Sequence, residues 1–123
     1  MSKLVGYMEG TDPVWLTTLQ VQGYDTVPLS NGLDGHGRNI RSTNEENKPD
    51  LIVCYLHKLI APQGEEHAPE ELLLPAKLYH IPVLVVCPQE HHDAGAALLG
   101  AAAAQVEFID PSETVRRVLE LIN

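Results

Sequence analysis

Positive charge is scarce in this chain. Eight Lys and Arg residues stand against seventeen Asp and Glu in 123 residues, for a formal net charge of -9. Binding a polyanion needs clustered Lys and Arg to release counterions, and the only close basic pairs are Arg38 with Arg41 and Arg116 with Arg117. Nucleic acid is therefore not the expected partner. Long apolar runs are also missing, and without about 18 consecutive apolar residues no membrane span is expected. The opening MSKLVGYMEG lacks the basic flank, apolar core and small-residue cleavage site of a secretory signal, so a cytoplasmic location is expected. Cysteine is limited to Cys54 and Cys87, both inside apolar runs, and the expectation is two buried thiols rather than a disulfide. No Gly-x-Gly-x-x-Gly follows the first apolar run, and no Gly-Lys-Ser/Thr occurs. These absences argue against classical dinucleotide binding, and no cofactor is expected.

What is present reads as one domain over residues 1–123, with an ordinary 44% hydrophobic and 20% charged content. The run Lys3 to Met8 is a short apolar strand. Asp12 then caps a helix with Pro13 at its first position, and Gly23 ends it. Tyr24 to Leu29 is a second strand and Asp50 to Leu56 a third. A helix from Pro69 to Tyr79 follows, with a kink or break at Pro75. Ile81 to Pro88 is a continuous apolar fourth strand, as expected in the middle of a parallel sheet. An Ala-rich helix capped by Asp93 leads to the fifth strand, Val106 to Ile109. Asp110-Pro111-Ser112-Glu113 has the form of a capping box before a last helix with Val115, Val118, Leu119 and Ile122 on one face. Alternating strands and helices predict an α/β fold with three layers, flavodoxin-like, whose five parallel strands take the order 2-1-3-4-5. The second helix is expected to be short, near Asn39 to Asn47, or replaced by a loop.

That loop contains GLDGHGRN. Its Asp34 and His36 resemble part of the Asp-x-His-x-x-Gly signature of cobalamin-binding domains. The position of the final glycine is Asn39, and the stretch follows the second strand instead of the first. Cobalamin is rejected on those grounds. Two readings remain: an anion nest at Gly35 and Gly37 beside Arg38, and a surface loop whose glycines supply positive φ.

Open parallel sheets bind ligands beyond the carboxyl ends of their strands, where strand order reverses. In the expected order that point lies between the first and third strands. The polar residues at those ends are Glu9 and Asp12, then His57 and Lys58, then Glu90, His91 and His92. Cys87, His91 and His92 have donor types that suit zinc, and His57 could complete four ligands. Each also has a plainer role: Asp12 as a cap, Glu9, His57 and Lys58 as solvated groups, Cys87 as a core residue. The Cys-x-x-x-His spacing is itself of low specificity. A Cys87/His91 nucleophilic pair is a further alternative.

The layout, with its tail GAAAAQVEFIDPSETVRRVLELI, resembles the receiver domain of bacterial response regulators. In that family the first strand ends in acids that hold magnesium, a role Glu9 and Asp12 would take. The resemblance places a phosphoacceptor Asp at the end of the third strand, where this chain has Cys54-Tyr55-Leu56-His57. It places Ser or Thr where Cys87-Pro88 stands and Lys where Asp110 stands. The resemblance thus implies a pseudo-receiver: a non-catalytic regulatory or protein-interaction domain, not phosphorylated on Asp. Its partner would be another protein or a second copy, as a homodimer, meeting an apolar surface along Val115 to Ile122. The alternative is a small metal- or ligand-binding protein or enzyme built on Glu9, His57, His91 and His92. That alternative requires those side chains to converge.

Overall fold

A computed structural model describes residues 3–32, 37–60 and 68–122. Six parallel strands form one sheet: β1 (Leu4–Met8), β2 (Asp25–Ser30), β3 (Arg38–Asn39), β4 (Leu51–Tyr55), β5 (Val83–Val86) and β6 (Glu107–Ile109). Their order is β3-β2-β1-β4-β5-β6. The five-strand order 2-1-3-4-5 is therefore corrected by a sixth strand. The two-residue β3 pairs Leu29 with Arg38 and Ser30 with Asn39 at the sheet edge. It comes from the stretch expected to hold only a loop or short helix. No hydrophobic periodicity announces it, because two residues are too few to alternate. Asn39 ends β3 and caps a single 3-10 turn, Ile40–Ser42, through its side chain, so no helix runs from Asn39 to Asn47. Asp34, Gly35 and His36 lie outside the described residues.

The central strands explain the layering. Along β4, Leu51 and Val53 enter one core while Ile52 and Cys54 enter the other. In β5, Leu84 and Val86 alternate in the same way with Val83 and Val85. A strand apolar on both sides must be covered on both sides. One face is covered by Leu19 of helix α1 (Pro13–Val21) with Val118 and Ile122 of α5 (Thr114–Ile122). The other is covered by residues of α2 (Pro69–Leu72), α3 (Leu74–Leu78) and α4 (His92–Leu99). The result is an α/β molecule with helices flanking a parallel sheet, compatible with a flavodoxin-like arrangement.

Local chemistry sets the helix ends. The Asp12 carboxylate accepts a hydrogen bond from the Val14 amide at 2.8 Å, with Pro13 next to the cap. Pro75 sits in the first turn of α3, so the expected single helix is two short ones meeting at Leu73. Asp93 is not a cap: α4 starts at His92, and Asp93 occupies its first turn. The Ala-rich helix stops at Gly100, whose φ of +60° ends α4, and a 3-10 segment, Gly100–Gln105, continues. The last helix starts later than expected, because Asp110 caps a 3-10 turn, Pro111–Glu113, by accepting from the Ser112 amide. Glu113 turns to Arg116 at 2.6 Å instead of back to the cap. Val118 and Ile122 are buried, while Val115, Leu119 and Leu121 are partly exposed. Greater exposure falls on Val14, Val21, Leu74, Leu78 and Leu98.

Gly6 lies in the middle of β1, where a Cβ would stand 2.8 Å from Leu29 Cδ1 and 3.2 Å from Pro49 Cγ. Alanine would restrict the unfolded chain and gain about 0.5–1 kcal/mol. Overpacking against the fully buried Leu29 and a rigid proline ring costs about 1–3 kcal/mol, so the penalty wins. Gly6→Ala is expected to lower the midpoint of urea unfolding with an unchanged slope. An unchanged midpoint would mean that Leu29 swings aside freely.

Candidate functional site

The carboxyl edge of the sheet carries the expected polar residues, and the structure sorts them into three groups. At the end of β1, Glu9 is exposed, and Asp12 is committed to capping α1. Lys58 lies in the 3-10 turn after β4, Leu56–Lys58, and its carbonyl accepts from Asn31 Nδ2 at 3.0 Å. Its Cε lies 3.8 Å from where a Cβ on Gly10 would stand, so the Lys58 stem bridges the reversal of strand order between β1 and β4.

The second group is occupied internally. His92 Nε2 lies 2.7 Å from the Cys87 carbonyl. A carbonyl only accepts, so this nitrogen carries the proton and donates. The His92 ring also packs on Phe108, with centroids 5.6 Å apart. Cys87 is 4% exposed, and burial, then the charge of Glu90, pushes its thiol up from the ordinary range. Among the described residues no three His, Cys, Asp or Glu side chains gather as a metal site. The structure does not bring Cys87, His91 and His92 together as a ligand set. One of the imidazole nitrogens, His92 Nε2, is spent on the Cys87 backbone carbonyl. Cys54 is wholly buried, and its thiol is pushed up to about 12 by burial alone. Neither thiol has the lowered pKa of a reactive cysteine.

The third group lines a cavity of about 580 Å³ between the ends of β4 and β5 and the first turns of α4. His57 and His91 both border it, and both are exposed. The remaining surface is almost wholly apolar, formed by Leu56 and Ile60 after β4, by Val86 and Pro88 after β5, and by Leu98 on α4. Gly95 makes this wall possible. A Cβ there would lie 3.0 Å from Phe108 and 3.2 Å from Leu56, so only glycine allows α4 to approach the sheet this closely. The cavity therefore sits one strand away from the expected crevice. Glu9, Asp12, Lys58 and His92 do not line it.

Tyr55 connects the two places. Its ring lies 5.7 Å from Trp15 of α1 and 6.0 Å from His57, nearly parallel to the latter. Burial, then the charge of Asp12, raises the Tyr55 hydroxyl pKa, so this phenol stays neutral. Tyr55, Gly95 and Leu98 were not among the residues expected from the sequence. The available signal was a lone glycine and a surface leucine on the same side of an Ala-rich helix.

The last strand end is held by charge. Asp110 accepts from Ser112 Oγ at 2.6 Å, from the Gln89 amide at 3.0 Å and from the Ser112 amide at 3.1 Å. These donors hold its carboxyl below the usual carboxylate range, Ser112 Oγ contributing most. The Gln89 bond ties the turn after β5 to the turn after β6. Glu107 is gripped by the Arg117 fork at 2.6 and 2.8 Å, and the Arg117 hydrogen bond lowers its pKa most.

No family model matches the chain. No curated protein matches it either.

Both carboxyl shifts are downward. Their stabilising contribution is complete above the ordinary carboxylate pKa and is lost as pH falls through the lowered folded values. Asp110→Asn with Glu107→Gln should lower the melting temperature near neutral pH. The difference from the parent protein should shrink as pH falls below the ordinary carboxylate range and the parent carboxyls take up protons. A difference of equal size at neutral and acidic pH would show that shape, not charge, matters at these positions.

Proposed function

We propose that this chain is a non-catalytic regulatory domain of receiver-like, flavodoxin-like fold, which acts by binding and is not phosphorylated on aspartate. One observation carries the reading: β4, at whose end the resemblance places the phosphoacceptor aspartate, closes with Tyr55 and runs on into Leu56 and His57, with no carboxylate there. Asp110, after β6, is held by three structural hydrogen bonds. The strand ends beside it support the same view. β4 closes with Tyr55, and buried Cys87 follows β5. Glu9 and Asp12, which would hold magnesium, stand at β1 with no phosphoacceptor carboxylate at the end of the adjacent β4.

Self-association belongs to the same proposal. Leu74 and Leu78 are 52% and 62% exposed, one turn apart on α3, and a second copy of the chain is the occupant proposed for them.

Two measurements test the proposal. Incubation with acetyl phosphate and magnesium should leave the intact mass unchanged, whereas a hydroxylamine-labile phosphoryl adduct would overturn the reading. Native mass spectrometry should show a dimer that Leu74→Glu with Leu78→Glu converts to monomer. A monomeric parent protein would remove self-association from the proposal.

A further inference from the structure

We propose that the cavity between β4, β5 and α4 binds a small apolar carboxylate, of the fatty-acid or aryl-acid class, with its carboxylate at His57 and His91. The volume of about 580 Å³ lies within the roughly 300–1,000 Å³ range of small-molecule sites. Its lining is mostly apolar, and Leu98 in that lining is 62% exposed, an apolar surface that an apolar occupant would dry. The described lining contains no carboxylate and two imidazoles. In a chain of net charge -9, that lining offers an anion hydrogen-bond donors without an acid among them.

Three details sharpen the assignment. His92 is withdrawn to the Cys87 carbonyl, and His57 and His91 are the imidazoles among the described lining residues. α4 starts with no side-chain cap, and its positive dipole end opens beside His91. Asp93 stands in that same first turn and lies outside the lining. Gly95 brings α4 against Leu56 and Phe108, and the described lining is mostly apolar, as a hydrocarbon chain or ring requires. The thiol of Cys87 is held neutral at the wall, so no covalent step is expected. The inference deepens the binding role proposed above by naming a ligand class, and in that respect it rests on it.

The test uses the full chain and decanoate, below its micelle-forming concentration, followed by titration calorimetry. Decanol serves as the same chain without the charge. Decanoate is expected to bind one per chain, about tenfold tighter than decanol, the effect of one hydrogen bond to a charged group. His57→Ala with His91→Ala should remove the tenfold preference for decanoate over decanol. Ala94→Phe starts from an exposed position bordering the cavity and should abolish binding of both, with circular dichroism confirming the fold. Absence of saturable binding to the folded parent protein would overturn the site, as would binding that survives Ala94→Phe. Either result would leave the non-catalytic reading intact. Chemical conversion of bound decanoate would overturn that reading instead, while sparing the site.

Discussion

Strands β4 and β5 are apolar on both faces, and most of the molecule follows from that constraint. Their alternating side chains feed two separate cores, so helices must lie on each side of the sheet and the crossovers between strands must be long. With both faces closed, polar chemistry has nowhere to go except the strand ends. Everything of functional interest is consequently at the carboxyl edge, and its identity depends on which short turn follows each strand.

Those turns divide the polar residues between structure and exposure. Asp12, His92 and Asp110 each complete backbone hydrogen bonding. His57 and His91 have no such duty among the hydrogen bonds that define the edge, and they border hydrocarbon. The contrast is what turns a histidine-rich edge into a groove with a polar rim instead of a metal centre. Cys87 fits the same division: it closes an apolar strand and keeps its proton.

The legible parts of the sequence were those written in periodicity and capping. The apolar runs of β1, β4 and β5, the Asp12-Pro13 start of α1 and the break at Pro75 are local patterns with local causes. The sixth strand was not legible, because Arg38–Asn39 is too short to carry a pattern and pairs only through its backbone. The boundary of α4 moved because Gly100 and the preceding 3-10 turn, Gln89–His91, outweigh alanine's helix preference. At the site, residue types at strand ends were readable, but their directions were not. Whether His92 faces a carbonyl or a cavity depends on one torsion angle. The position of the groove depends on the distance between α4 and β6, which Gly95 sets.

The ring series from Trp15 through Tyr55 to His57 has an optical consequence. Trp15 is the chain's single tryptophan, and it packs at a tilt against Tyr55, which borders the groove. Excited at its own absorption edge, this indole has no competing emitter of its kind. Its spectrum thus records the surroundings of one place in the molecule. The protein carries a built-in fluorophore one ring from its groove, legible in the unlabelled chain.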